Sequence, residues 1–210
     1  VAAAGRTKTR DIARAAVRAE LGQVAFELFL REGFEKVTVD DLAKAAGVSR
    51  STFLRYFDTK EDAVLGAFED KGERVAEALR GRPADEDDWT ALRNALDTAI
   101  ERYRQDPDAS LAMTRLVRGT PALCARQLEK QHGWRPALAR ALAERSERGV
   151  PPGEGRGSDG SPESPAIGHW VRASAALDCL NVAVDHWSDS DGRLDLVTLL
   201  DEAFAALAPR

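Results

Sequence analysis

Apolar residues recur at three- and four-residue spacing along almost the whole chain, and the β-branched runs that mark strands are rare. The pattern predicts an all-α protein. Its first long helix runs from about Thr9 to Glu32, with Leu21, Val24, Ala25 and Leu28 on one face. Gly33 supplies the left-handed residue that ends it, and Phe34 turns back onto that face. Two short helices follow, about Val39 to Ala46 and Arg50 to Phe57, and a fourth begins after Thr59. Thr38 and Thr59 each stand three residues before an aspartate, Asp41 and Asp62. Each threonine can therefore cap a helix whose carboxylate reaches back to the cap amide.

Gly81-Arg82-Pro83 and the acidic run Asp85 to Asp88 mark a connection, after which Trp89 to Arg104 is again helical in pattern. Asp106-Pro107 breaks it. Helices of about Asp108 to Arg118 and Pro121 to Arg148 follow, the second opened by Thr120 as cap and Pro121 in the first turn. Residues 149–165, GVPPGEGRGSDGSPESP, are too poor in apolar side chains to join a core and read as a mobile loop. Two amphipathic helices close the chain, about Ala166 to Trp187 and Arg193 to Leu207. The expected division is a three-helix head, residues 1–58, on a larger helical body, residues 59–210. A helix from Thr59 to about Leu79 is expected to join them, with Leu65 and Phe68 in the packing that couples one to the other.

Charge sharpens this division. The net charge is −5, yet residues 1–60 hold eleven Lys or Arg against eight Asp or Glu, and the remainder nineteen against twenty-seven. A mildly basic head on an acidic body suits a protein that offers one end to a polyanion, because phosphate attraction acts within a Debye length of about 8 Å. Hydrophobic residues at 43% and charged residues at 31% exclude a disordered chain. No apolar run approaches the roughly 20 residues a bilayer requires, and the chain begins without a hydrophobic leader, so the cytoplasm is the expected location. Cys124 and Cys179 lie far apart, with no C-x-x-C and no histidine at metal-ligand spacing. Neither metal, disulfide nor cofactor is expected.

The densest constellation is Val39 to Phe57. Leu42, Ala43 and Ala46 form the inner face of a positioning helix, Gly47 permits a tight turn, and Val48 plugs the angle. Ser49 caps a short helix with Phe53 and Phe57 inward, leaving Arg50, Ser51, Thr52, Arg55 and Tyr56 on its outer side or first turn. Such a helix fits a major groove about 12 Å wide with its first turn toward base edges. Lys60, opening the next helix, lies beside the expected phosphate path. A plain αα-corner would share the helix–Gly–helix outline. It would not account for two arginines, three hydroxyls and a tyrosine outside two buried phenylalanines. Arg6, Lys8, Arg10, Arg14 and Arg18 precede this unit, as a backbone- or minor-groove-binding arm or as a solvated tail.

These residues resemble the tetracycline-repressor (TetR) family of bacterial regulators over positions 20–68. The likeness rests on Phe26-x-x-Phe29-x-x-x-Gly33-Phe34, on Thr38-Val39-Asp40-Asp41-Leu42-Ala43-x-x-Ala46-Gly47-Val48-Ser49, and on Thr52-Phe53-x-x-Tyr56-Phe57-x-x-Lys60-Glu61. The resemblance implies an all-helical homodimer in which Thr38 and the Ser49 to Tyr56 helix contact operator DNA and Lys60 binds phosphate. Ser51 and Leu54 depart from the Gly and Tyr frequent in the family, so the phosphate contact usual at the latter position is not carried over. The Thr52-Phe53-x-Arg55-Tyr56-Phe57 variant is similar to an actinobacterial subgroup with members that sense acyl-CoA-like ligands.

Beyond residue 70 the body is read from physics. Ile167, Trp170, Val171, Ser174, Leu177, Asn181 and Val184 share a helical face, as do Leu196, Leu199, Leu200, Ala203, Phe204 and Leu207. These faces pack within one subunit or form a four-helix bundle with a second copy. A two-fold operator reader favours the bundle. Trp89, Tyr103, His132, Met113, Trp134, Trp170, Asn181 and His186 supply the aromatic and polar groups for a small-molecule pocket. The expectation is a ligand-responsive repressor on a palindromic operator, released by a small hydrophobic effector. A DNA-binding dimer without a sensor is one rival. A helical enzyme is the other, and it lacks H-E-x-x-H, a nucleophile elbow or a phosphate loop in its favour.

Overall fold

A computed structural model describes residues 2–66, 71–148 and 165–207, with the side chains of residues 2–11 excepted. Twelve helices and no strand occur among the described residues. α1 (Ala2–Glu32) begins ahead of the expected Thr9, so the backbone of the basic Arg6 to Arg10 segment is helical rather than a loose arm. Gly33 has φ +88° and donates to the Phe29 carbonyl at 2.9 Å, ending α1 as expected. The Phe34 ring then lies 4.8 Å from that of Phe29.

α2 (Val39–Ala45) and α3 (Arg50–Leu54) form the corner, and α4 (Lys60–Leu65) follows. α3 is shorter than its pattern predicts: Arg55 is its C-cap and Tyr56 lies in the turn, because the chain must bend there to bury Phe57. α5 (Lys71–Arg80) follows α4 after residues 67–70. Phe68 and the continuity of the expected Thr59–Leu79 helix lie outside the described residues.

Two expected helices are divided. The Trp89–Arg104 run becomes α6 (Asp88–Ala95) and α7 (Asp97–Gln105), interrupted at Leu96, where the Thr98 hydroxyl bonds the Ala95 carbonyl at 2.9 Å. The Pro121–Arg148 run becomes α9 (Pro121–His132) and α10 (Arg135–Arg148), following α8 (Pro107–Gly119). Pro136 has no N–H to continue the ladder, and Gly133 and Trp134 form the bend. α11 (Ile167–Asp189) matches its pattern, and α12 (Leu196–Ala206) starts at the Asp195 cap rather than Arg193. Apart from Pro165, the expected mobile loop lies outside the described residues.

The chain forms two compact units. One comprises residues 1–69 with 116–127, and the other 70–115 with 128–210. In the first, α1 packs on α2 and α4, and Phe29, Leu42, Phe53, Phe57 and Leu65 are buried at its centre with Val117 and Leu123. In the second, α5 packs on α10, α10 on α11 and α11 on α12, around Leu79, Leu92, Ile100, Leu138, Leu142 and Leu200. α4, expected to open the body, therefore belongs to the same packing unit as the corner.

Candidate nucleic-acid interface

The corner is built by local hydrogen bonds. Thr38 accepts from the Asp41 N–H at 3.2 Å, while the Thr38 N–H and hydroxyl both donate to the Asp41 carboxylate, at 2.9 and 2.6 Å. This reciprocal box fixes where α2 starts. Side-chain donation from Thr38, then its backbone donation, holds the Asp41 carboxyl below the usual carboxylate range. Gly47, at φ +66°, makes the turn that an L side chain would strain, and the Val48 N–H donates to the Ala43 carbonyl at 3.0 Å.

Ser49 opens α3 by accepting from the Thr52 N–H at 3.1 Å, and its hydroxyl lies 3.0 Å from that of Ser51 and donates to that of Thr52 at 2.9 Å. Phe53 and Phe57 are buried with ring centroids 5.2 Å apart, as their spacing predicts. Anchored on that pair, α3 leaves Arg50, Ser51 and Arg55 exposed, and Thr52 and Tyr56 half-buried. The Arg55 guanidinium lies 5.6 Å from the centre of the Tyr56 ring, one turn from the hydroxyl cluster. Thr38 and Ser49 are exposed beside it, so seven of the eight expected DNA contacts gather around one corner.

Lys60 stands differently. Its ammonium donates to the carbonyls of Phe34 at 2.9 Å and Val37 at 3.3 Å and lies 4.2 Å from the centre of the Phe34 ring. Two of its three N–H donors thus tie α4 to the α1–α2 loop, which leaves one for another acceptor. Three pairings escaped sequence reasoning. Arg50 pairs with Asp40 of α2 at 2.9 Å, Arg14 donates to the Arg55 carbonyl at 3.5 Å, and Arg126 donates to Asp62 at 3.2 Å. The last two span 41 and 64 positions, beyond any local pattern.

The structure places the expected body residues apart in role. The Trp89 indole N–H donates to the Phe204 carbonyl at 3.1 Å and the two rings stand 4.4 Å apart, so Trp89 fastens α6 to α12. Trp134 is buried against Gly72, where an added Cβ would stand 2.5 Å from its ring. Tyr103 meets the Trp187 ring edge-on at 5.2 Å. Met113 and Asn181 are half-buried, Trp170 faces solvent, and His132 and His186 are exposed, His132 against Arg135 at 2.9 Å.

The expected association faces are corrected too. Leu177, Leu196, Leu200 and Phe204 are buried inside their own unit, and Val184 and Leu199 are half-buried. α11 turns Ala173, Ala176 and Leu180 inward onto its neighbours, and this rotation leaves Ile167 83%, Val171 60% and Trp170 39% exposed, with Ser174 half-buried. Among the described residues no group of three or more His, Cys, Asp or Glu is arranged to hold a metal, and no helix is long and apolar enough to cross a membrane.

Residues 23–65, the span of this corner, match the family model described as bacterial regulatory proteins, tetR family, and residues 86–210 match the one described as the MftR C-terminal domain. The chain belongs to the TetR family. Among relatives of this TetR-family regulator, one from Mycobacterium tuberculosis, named as the mycofactocin biosynthesis transcriptional regulator MftR, is 31% identical over 188 residues. That match covers 88% of this chain and 85% of the relative. The transcriptional regulator TcmR of Streptomyces glaucescens is 36% identical over 134 residues, 61% of this chain and 59% of TcmR. In fold, the chain is similar to the fatty acid degradation regulator FadR of Bacillus halodurans, with TM-score 0.56 and 21% identity over 90% of this chain and 93% of that one. It is also similar to Thermus thermophilus FadR, solved with lauroyl-CoA, with TM-score 0.50 and 23% identity over 92% and 96% of the two chains. This TetR-family chain is a DNA-binding transcriptional regulator with an all-helical body.

Proposed function

We propose that the chain is a ligand-responsive repressor that binds a palindromic operator as a homodimer and leaves it when a small effector with an apolar part enters the body. Residues 1–58, with Lys60 at the start of α4, supply the DNA contacts, and the helical body that follows supplies the effector site and the dimer contact. The observation that carries this reading is α3, a five-residue helix that buries only Phe53 of its own side chains and presents Arg50 and Ser51, with Arg55 at its C-cap. Thr38, Ser49, Thr52 and Tyr56 complete the surface offered to a groove, and Lys60 adds one N–H toward phosphate. A helix this short reads few base pairs, so useful specificity calls for two copies on two half-sites.

The exposed apolar face of Ile167, Trp170 and Val171, with Ser174, supports association through α11, since an apolar surface of that kind is ordinarily covered. An effector then acts by binding better to the dimer conformation that does not fit the operator. The reading assigns the chain no catalytic step. Thermus thermophilus FadR, similar in fold, was solved with lauroyl-CoA, which supports an effector with an apolar part for this chain as well.

Selection of bound fragments from genomic DNA, with the intact protein and with Arg55→Ala, at two salt concentrations, tests it. Enrichment of a two-fold symmetric site that weakens in the variant and at higher salt is the expected result. Enrichment of no site, or of one indifferent to Arg55, overturns it.

A further inference from the structure

The first helix outruns the core that holds it. Toward its C-terminal end Leu21, Ala25, Leu28 and Phe29 are buried, whereas every position from Ile12 to Glu20 is exposed except Arg18, which is half-buried. Along that stretch α1 buries no stripe of its own, so packing does little to hold it.

The face that is apolar further along changes its chemistry here. Counted back in steps of four from the buried Phe26, it carries Gly22, Arg18, Arg14, Arg10 and Arg6. Gly22 stands against α4, where an added Cβ would lie 3.2 Å from the Ala63 carbonyl. The Arg18 guanidinium lies 5.3 Å from the centre of the Phe57 ring, and Arg14 donates to the carbonyl of Arg55, the C-cap of α3, at 3.5 Å. Each step toward the N-terminus thus moves from α4 to the end of α3 that carries Arg55 and Tyr56. The backbone of α1 continues to Ala2, about 18 Å of helix beyond Arg14, and Arg10 and Arg6 occupy the next two places in that register.

Charge selects what this face meets. The stretch from Arg6 to Arg18 holds five basic residues against one acidic residue, Asp11. Like charges four residues apart weaken a helix, and a polyanion lying along them removes that cost. Duplex DNA brings such a polyanion to this end of the head when the α3 corner engages it.

We propose that the N-terminal half of α1 is a second DNA contact, a basic helix lying along the sugar–phosphate backbone beside the half-site, with Arg6, Arg10 and Arg14 on phosphates and no base read. The proposal rests on the DNA-binding reading above and extends that interface beyond the corner. Its contribution depends on salt and on flanking duplex, and not on sequence.

The test measures affinity for the selected operator, on duplexes with long or trimmed flanks and over a range of salt, for the intact protein, the double variant Arg6→Gln/Arg10→Gln and Lys8→Gln. Lys8, two positions from Arg10, belongs to the opposite side of the helix. The double variant is expected to bind the long duplex at least tenfold more weakly at low salt and to select the same sequence. Its slope of log affinity against log salt should be shallower by about two units per bound protomer. Trimming the flanks should cost the intact protein a similar factor and the double variant little, and Lys8→Gln should leave the slope unchanged. These positions precede the buried part of α1, so the unfolding midpoint of each variant should match that of the intact protein. An unchanged slope in the double variant, a loss independent of flank length, an equal effect of Lys8→Gln, or a shift in the selected sequence overturns the proposal. An operator bound alike by intact protein and variants removes the basic helix and leaves the regulator standing, whereas no bound duplex at all removes both.

Discussion

Arg126, on α9, donates to the carboxylate of Asp62, on α4, at 3.2 Å, and Asp62 also accepts from its own cap residue, Thr59. Asp62 is 2% exposed. One carboxylate therefore sets the start of α4, next to Lys60, and fastens it to a segment that follows sixty residues later. Asp62→Ala leaves the Arg126 guanidinium without this partner and Thr59 without its carboxylate. The expected loss is about 2–4 kcal/mol of stability, read by denaturant unfolding. A loss under 1 kcal/mol would mean that solvent satisfies the half-exposed arginine.

Arg50 is held by Asp40 in the free protein, with both side chains more than half exposed. An exposed pair contributes little to stability, so Asp40→Asn should change unfolding by less than about 0.5 kcal/mol. It should tighten operator binding, because it releases Arg50 and removes a negative charge from the face proposed to meet phosphates. Arg50→Ala should weaken binding by roughly 1–3 kcal/mol if the side chain reads a base. The slope of log affinity against log salt separates the alternatives: a phosphate contact lowers it by about one unit, and a neutral base contact does not.

The exposed stretch Ile167, Trp170 and Val171 predicts where a charge blocks association. Val171→Glu should shift the protein from dimer to monomer in sedimentation and cost operator affinity, while its helical content stays intact, because position 171 faces away from the core. Leu200→Glu, in the same amphipathic pair, should instead unfold the body, since Leu200 is fully buried within its own unit. A dimer persisting in Val171→Glu would place the contact elsewhere.

Lys71 gives a pH dependence of definite sign. Its ammonium lies near 8 in the folded chain against an ordinary 10.5, so the unfolded chain binds more protons between those values and stability from this group rises across that window. By the same linkage, the stability lost as pH falls from 10.5 to 8 is on the order of 3 kcal/mol. Lys71→Met should raise the melting temperature at pH 7, and the advantage should shrink toward pH 10. An equal advantage at both pH values would show that packing, not charge, is responsible.

Much of this was legible in the chain. The all-α class, the Thr38–Asp41 box, the turn at Gly47 and the inward Phe53 and Phe57 follow from spacing within four or five residues. Backbone hydrogen bonding and helical periodicity act over that range. The division at Gly133-Trp134 could have been read from Pro136. The interruption at Leu96 could not, because the run on either side keeps its helical pattern.

What remained for the tertiary structure was the use made of each side chain. Whether Leu177 or Val171 looks outward depends on how α11 is rotated against α10 and α12, and an amphipathic pattern wide enough to serve both faces does not fix that rotation. Trp89 and Trp134 look alike as pocket candidates in sequence, yet one is consumed by Phe204 and the other by the bare backbone of Gly72. Arg126 and Lys71 carried no signal at all, since a charged residue in a helix is ordinarily solvated. Only packing from distant segments removes the water that would otherwise make such charges ordinary. Local periodicity determined which elements form and how the Thr38–Phe57 corner is built, and long-range burial decided which charges and rings are left to act.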